Sequence, residues 1–229
     1  MTTFLLIHGG GDTGWAWHRV QAALESRGHR VFAPDLPGDD DSLTLDDYAE
    51  AAVADIEEGT SLVVVGHSFG GFTAPLVAAL RPVEQIVFLA GMVPRPGESP
   101  EEWWGNTGSA EAVTAQAAVD GGLTGNSDPF ISFYHDVPRV LAEEAMSRER
   151  AHPSAAAMST PWPRDALPDV LAAFLLCRDD RFFPAAFMRR MVRGRLGIEP
   201  EEIPGSHCAP LSHPEEVADA LERVSERRE

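Results

Sequence analysis

Two patterns of apolar residues alternate along the chain. Short, mostly continuous apolar runs, typical of strands buried on both faces of a parallel sheet, occupy residues 3–7, 30–36, 61–65, 85–91, 172–177 and 198–203. Between them, apolar residues recur at helical spacing and predict helices at residues 17–27, 43–58, 70–80, 184–195 and 214–227. This alternation predicts an α/β fold with a doubly wound, mostly parallel six-stranded sheet and helices on both faces.

Residues 94–168 interrupt the alternation. This stretch is rich in Pro, Gly, Ala, Ser and aromatic residues, and it has a short helical pattern at 138–150 but no convincing strand. We expect it to form an inserted helical cap over the sheet, within a single domain of residues 1–229.

Glycine-rich or polar segments follow four of the predicted strands, at residues 8–11, 66–70, 178–181 and 206–208. In a doubly wound sheet the functional crevice lies at the carboxyl ends of the strands, where the winding changes direction. We therefore expect these four segments to share one face of the molecule.

The segment Gly66-His67-Ser68-Phe69-Gly70 fits Gly-x-Ser-x-Gly between a strand and a helix. A strand that turns directly into a helix strains the central residue and exposes its hydroxyl group, while the flanking glycines let the backbones pass. We predict that Ser68 is a nucleophile and that the backbone N–H of Phe69 belongs to an oxyanion hole. Pro75 predicts a kink in the following helix.

A nucleophilic serine needs an imidazole to take its proton and a carboxylate to orient the imidazole. Asp179 and Asp180 directly follow the fifth predicted strand, and His207 follows the sixth. One helix and one strand lie between Asp180 and His207, so the chain returns to the same face. The spacing predicts a triad of Ser68, His207 and one of the two aspartates.

Composition narrows the classes of function. The formal charge of −18 argues against nucleic acid and anionic membranes as partners. All 18 basic residues are arginine, which excludes a P-loop lysine, a Schiff-base lysine and a Ser-Lys dyad. The aspartates at 39–41 are expected to be a solvated loop rather than a cation site, so we expect no metal and no cofactor.

The sequence also suggests a cellular location. No apolar run is long enough to span a membrane, and no basic leader precedes the first strand. Cys177 and Cys208 lack disulfide or metal spacing and are expected to be reduced thiols. These features predict a soluble cytoplasmic protein and leave its oligomeric state open.

Six segments together carry a resemblance to a known family: LLIHGGGDTGWAW, VFAPDLPG, VVVGHSFGG, IVFLAG, LLCRDDRFFP and GSHCAPLSHPEEVADAL. The chain resembles the α/β-hydrolases, in particular the small plant-type methylesterase and hydroxynitrile lyase group and its bacterial relatives. The resemblance runs nearly end to end. It implies a sheet order of 2-1-3-4-5-6 without the family's first hairpin, and a carboxylesterase that forms an acyl-enzyme on Ser68 with a small-molecule ester.

The resemblance also implies roles for individual residues. The family's acid lies four residues before a proline, which favours Asp180, with Pro184, over Asp179. The family's histidine corresponds to His207 rather than to His213. By the same resemblance, the backbone N–H of Gly10 is the second donor of the oxyanion hole.

Aromatic and methionine side chains of the predicted cap are candidates for contact with substrate. Packing of the cap on itself would explain each of them equally well. The interpretation leaves His67 structural, His135 and His152 solvated, and Trp15 and Trp17 in the core. The candidate substrate-contacting residues are Trp103, Trp104, Phe133, Tyr134, Met158 and Trp162.

Three alternatives stay open. Residues 9–14 also fit the Gly-x-Gly-x-x-Gly fingerprint of a dinucleotide site, with Asp35 at the end of the next strand, as in an NAD-dependent oxidoreductase. Some members of the resembled fold are small-molecule receptors with little turnover. The resembled lyases carry threonine and lysine where this chain has Gly9 and Cys208, which favours hydrolysis over cyanide release.

Overall fold

All six predicted strands form one parallel sheet in the computed structural model, which describes residues 1–227. The strand order β2-β1-β3-β4-β5-β6 confirms the predicted order. The strands are β1 Thr3–Ile7, β2 Arg30–Phe32, β3 Leu62–His67, β4 Val83–Leu89, β5 Leu171–Cys177 and β6 Glu201–Ile203.

The winding direction of the chain reverses between β1 and β3. β1 pairs with β2 on one side and with β3 on the other, so that the first crossover runs to one edge and the later ones to the opposite edge. The loops after β1 and β3 leave the sheet side by side, and this is where a doubly wound sheet opens its crevice.

Helices cover both faces of the sheet. Those outside the β4–β5 connection are α1 His18–Ser26, α2 Leu45–Ala52, α3 Gly70–Thr73, α9 Ala185–Leu196, α10 Ala209–Ser212 and α11 Pro214–Glu226. Between β4 and β5 lie α4 Pro100–Thr107, α5 Ser109–Asp120, α6 Pro129–Ser132, α7 Arg139–Ser147 and α8 Ala155–Ser159.

Two hydrophobic cores lie on opposite faces of the sheet, because successive strand side chains point in opposite directions. Phe4 and Leu6 pack with residues of α1 and α11, whereas Leu5 and Ile7 pack with residues of α2 and α9. These four apolar side chains of β1 are fully buried, as the continuous apolar run predicts.

Several elements are shorter than their patterns predict. β2 ends at Phe32, and beyond it the main chain at Leu36 donates to the His8 ring instead of to a neighbouring strand. The second helix covers residues 45–52 rather than 43–58, and Thr44 caps it as expected, since its hydroxyl accepts the N–H of Asp47. At Pro75, where a kink is predicted, the α-helix does not continue: α3 is a single turn, and Pro75 lies in the 3₁₀ helix Ala74–Ala79 that follows it.

Membrane-spanning and metal-binding features can be checked over residues 1–227. No helix in this range combines the length and the apolar character needed to cross a bilayer. Nor do any three His, Cys, Asp or Glu side chains of these residues come together in an arrangement suited to a metal ion.

Candidate active site

Ser68 lies on a sharp turn between β3 and α3, with a backbone φ of 49°. This left-handed conformation is strained for a residue with a side chain. The turn is held by backbone hydrogen bonds, from Ser68 N–H to the Leu89 carbonyl (3.2 Å) and from Met92 N–H to the Ser68 carbonyl (2.8 Å). The structure therefore fixes this strand–turn–helix elbow on both sides of the serine.

The flanking glycines of the motif are sterically required. A Cβ atom at Gly66 would lie 2.6 Å from the Gly70 carbonyl oxygen, and one at Gly70 would lie 2.6 Å from the carbonyl oxygen of His8. Neither contact is possible without moving backbone. The two glycines thus allow α3 to pass close to β3 and to the loop after β1.

His207 and Asp180 form a buried pair. The Nδ1–H of His207 donates to Oδ2 of Asp180 over 2.7 Å, and the other carboxylate oxygen accepts the N–H groups of Phe182 (2.7 Å) and Phe183 (2.9 Å). With Nδ1 engaged by the carboxylate, Nε2 is the free ring nitrogen of His207, which borders the same cavity as Ser68. The arrangement suits a base oriented by an acid.

The alternative residues from the sequence have other partners. The side chain of Asp179 is half exposed and accepts the N–H of Gly205 (3.2 Å). His213 contacts the hydroxyl of Ser212 (2.9 Å) and lies 3.5 Å from Asp136. The structure thus brings together His207 and Asp180, and not their neighbours.

The backbone N–H groups of Gly10 and Phe69 are available to a ligand. Both residues border the cavity, and neither N–H donates to another group within residues 1–227. The loop that carries Gly10 is tied to the β4–β5 connection, because Gly11 N–H donates to the His152 carbonyl (2.7 Å) and Arg150 N–H donates to the Gly11 carbonyl (2.9 Å).

Two neutral histidines support these loops. His8 donates from Nδ1 to the Gly9 carbonyl (2.8 Å) and accepts the N–H of Leu36 at Nε2 (3.0 Å), and burial lowers its pKa. His67 donates from Nε2 to the carbonyl of His207 (2.9 Å), and its pKa is lowered to about 3, mainly by burial. His67 therefore holds the segment that bears His207.

The serine and the His207 ring open onto a cavity of about 410 Å³, a size that suits a small molecule. Trp104, Phe133, Tyr134 and Met158, four of the six candidates from the sequence, lie on its wall. The complete lining is Gly9, Gly10, Gly11, Asp12, His67, Ser68, Phe69, Met92, Trp104, Pro129, Phe133, Tyr134, Glu149, Pro153, Met158, Phe182, His207 and Cys208.

Trp103 and Trp162, the other two candidates, do not reach the cavity. The indole N–H of Trp103 donates to the Val93 carbonyl and that of Trp162 to the Phe72 carbonyl, each over 3.0 Å, and both rings are buried in the core. Assigning them to the substrate is therefore wrong. The sequence could not distinguish them from Trp104, because its pattern does not show which side chains of the β4–β5 connection point towards the cavity.

The interpretation of His152 as a solvated residue is also wrong. Its ring is buried against His8 (centroids 5.1 Å apart) and Tyr48 (4.6 Å), and its pKa falls to about 3 because of burial. The backbone carbonyl of His152 accepts the N–H of Gly11 in the loop after β1, and this contact holds the residue inside the protein. His135, by contrast, is partly exposed and contacts the Asp179 carbonyl (2.9 Å).

Sequence reasoning missed several wall residues. Phe182 packs 4.9 Å from the His207 ring and 4.5 Å from that of Phe133. Its position two residues after Asp180 was the available signal, because the segment that supplies N–H groups to the acid must also pass the histidine. Asp12, in the glycine loop, is another unexpected member; burial raises its pKa to about 6.

The residues that match the dinucleotide fingerprint make contacts within the chain itself. The carboxylate of Asp35 accepts the N–H of Gly14 (2.7 Å). The main chain after β1 enters a 3₁₀ helix at Gly14–Trp17, and α1 begins only at His18. The glycine loop therefore leads into a 3₁₀ helix, and not directly into the α-helix whose N-terminus would bind a pyrophosphate in a dinucleotide site.

Comparisons with known proteins agree with this geometry. The model of the alpha/beta hydrolase family matches residues 4–220. The probable esterase PIR7A of Oryza sativa subsp. indica is 29% identical over 256 residues, covering 97% of this chain and 96% of that protein. Norfluorocurarine synthase 1 of a Strychnos species is 24% identical over 254 residues, with 98% and 95% covered.

A solved structure is also similar over its whole length. The crystal structure of a pyrethroid hydrolase from Sphingobium faniae JZ-2 superposes with a TM-score of 0.74 at 26% identity, covering 99% of this chain and 98% of that one.

Proposed function

Because the chain belongs to the alpha/beta hydrolase family, we propose that it is a serine carboxylesterase that acts on small-molecule esters through an acyl-enzyme on Ser68. The observation that carries the proposal is a single cavity bordered by the elbow serine, by the His207 ring paired with Asp180, and by two free backbone N–H groups.

Each group has a defined part in the reaction. His207 takes the hydroxyl proton of Ser68 at Nε2 as the oxygen attacks the ester carbonyl, and Asp180 stabilises the resulting imidazolium. The N–H groups of Gly10 and Phe69 donate to the oxyanion of the tetrahedral intermediate. His207 then protonates the departing alcohol, and water, deprotonated by the same ring, releases the acid from Ser68.

Two features of the site favour hydrolysis over cyanide elimination. A Cβ atom at Gly9 would lie 3.1 Å from Ser68 Cβ and 3.2 Å from His67 Nδ1, so the loop has no space for a threonine there without a shift. Burial raises the pKa of the Cys208 thiol, which stays neutral and cannot act as the cation that a lysine would supply.

The receptor alternative is distinguished by turnover, and the pairing of His207 with Asp180 beside Ser68 favours chemistry over binding alone. The cytoplasmic location belongs to the same proposal, and the two free thiols, Cys177 and Cys208, are compatible with a reducing compartment.

A fluorophosphonate probe tests the nucleophile. We expect one covalent adduct at Ser68 in the intact protein and none in Ser68→Ala. The wild-type protein should hydrolyse p-nitrophenyl acetate, and the variant should not. Cyanide release from mandelonitrile that depends on Ser68, without ester turnover, would instead support a lyase; a protein that neither reacts nor turns over any ester contradicts the proposal.

A further inference from the structure

The cavity wall combines aromatic rings with carboxylates. Trp104, Phe133, Tyr134 and Phe182 supply the rings, and Asp12 and Glu149 supply the acids. Within residues 1–227, no arginine side chain borders the cavity. The wall therefore offers several attractive contacts to a cation, and no fixed positive charge to an anion.

Asp12 lies close to the nucleophile. A Cβ atom at Gly9 would be 3.1 Å from Ser68 Cβ and 3.3 Å from Oδ2 of Asp12, so the serine and the carboxylate flank the same glycine. The Asp12 side chain is 25% exposed, and Oδ2 lies 4.0 Å from Nδ1 of His67. Within the described chain it accepts no hydrogen bond, which leaves the carboxylate free for a ligand.

The groups that face Asp12 do not neutralise it. His67 stays uncharged because its pKa is about 3, and burial keeps the thiol of Cys208 and the phenol of Tyr134 protonated by raising the pKa of each. His207 must be uncharged to act as a base.

Glu149, at the exposed side of the cavity, adds a second negative charge near Asp12. Since the pKa of Asp12 is about 6, its carboxylate is mostly ionised at neutral pH.

We propose that Asp12 makes this cavity selective for esters that carry an ammonium group near the ester bond, and unfavourable for esters that carry a carboxylate there. The inference rests on the proposed esterase function and specifies its substrate class. An ammonium group is attracted both by a carboxylate and by the faces of aromatic rings, and both attractions strengthen where water is excluded. A substrate carboxylate would meet two like charges.

A matched pair of esters tests the charge preference. Acetylcholine and 3,3-dimethylbutyl acetate have nearly the same shape, and only the former carries a positive charge. In a pH-stat assay at pH 8 we expect kcat/KM to be about tenfold higher for acetylcholine, equivalent to about 1.4 kcal/mol. Monomethyl succinate should be hydrolysed more slowly than methyl butyrate, its uncharged counterpart.

Asp12→Asn is the informative variant. It should lower the acetylcholine ratio several-fold, leaving only the preference that the aromatic rings and Glu149 supply. Glu57→Gln should leave the ratio unchanged, because this exposed residue lies outside the cavity and its substitution changes the net charge equally. A ratio near one in the wild-type protein, or a preserved ratio in Asp12→Asn, contradicts the inference and leaves the esterase proposal intact. Failure of Ser68 to react with the fluorophosphonate contradicts the esterase proposal instead.

A binding measurement on Ser68→Ala, with Asp12 in place, covers the case in which Asp12→Asn fails to fold. By calorimetry, choline should bind about tenfold more tightly than 3,3-dimethylbutanol at pH 8. That advantage should shrink as the pH is lowered through about 6, where Asp12 becomes protonated. Equal binding of the two alcohols at pH 8 would contradict the inference.

Discussion

Replacing Asp180 by asparagine should inactivate the enzyme by changing which nitrogen of His207 carries the proton. In the structure Oδ1 of Asp180 accepts two backbone N–H groups, while Oδ2 accepts only the Nδ1–H of His207. An asparagine keeps both backbone bonds only if its carbonyl oxygen takes the Oδ1 position. Its NH₂ group then faces Nδ1 of His207.

Two donors cannot share that hydrogen bond, so the proton of His207 moves to Nε2 and Nδ1 becomes the acceptor. Nε2 then presents N–H to the cavity and cannot take the proton of Ser68. Loss of the acid in a triad of this geometry costs about 10⁴-fold in kcat, or about 5 kcal/mol in the activation free energy. Folding should be little affected, because all three hydrogen bonds are kept with reversed polarity at one of them.

The assay is kcat for p-nitrophenyl acetate, read together with the thermal midpoint. We expect the midpoint of Asp180→Asn to stay within a few degrees of wild type, since about 1 kcal/mol corresponds to roughly 2–4 °C in a protein of this size. Asp179→Asn is the matched control and should keep kcat within about threefold. A folded Asp180→Asn protein with kcat within tenfold of wild type would refute the assignment of the acid.

Three further predictions concern the cap and its supports. Glu98→Ala should destabilise the protein by about 3–5 kcal/mol in chemical denaturation, because it leaves the almost fully buried guanidinium of Arg195 unpaired. Trp104→Ala should raise KM without large loss of stability, whereas Trp103→Ala should cost about 3–5 kcal/mol of stability, since only the former borders the cavity. Stability should fall as pH drops from about 6.5 towards 3, because the unfolded chain binds a proton that buried His152 does not, and His152→Phe should flatten this fall. A denaturation profile of His152→Phe with the wild-type pH slope would argue against that linkage.

Much of the sheet and of the elbow could be predicted from the sequence because both depend on local rules. Continuous apolar runs such as Thr3–Ile7 specify strands buried on two faces, and Gly66 and Gly70 are demanded by backbone approaches that admit no side chain. The spacing of the motifs was also enough to predict that Ser68 and His207 lie at the same edge of the sheet.

The remaining features depend on contacts between distant segments. Spacing alone left Asp179 and Asp180 equivalent. In the structure, Asp180 is buried and accepts the Nδ1–H of His207 together with two backbone N–H groups, whereas Asp179 is half exposed. Trp103 and Trp104 are adjacent in sequence, yet Trp103 is buried in the core and Trp104 faces the cavity. The burial of His152 follows from the binding of its backbone to a loop some 140 residues earlier, for which the local sequence carries no signal.

The pair of hydrogen bonds between Gly11 and the Arg150–His152 segment bears on how such an enzyme can be re-engineered. The segment 150–152, which lies between the cavity-wall residues Glu149 and Pro153, holds the loop that carries the Gly10 donor. A chimaera that exchanges the β4–β5 connection for that of another hydrolase would therefore alter the loop after β1, which carries Gly10, as well as the cavity wall. Grafting of new specificities onto this scaffold should begin with single wall side chains, such as those at positions 104 and 158, and retain residues 150–153 as part of the catalytic frame.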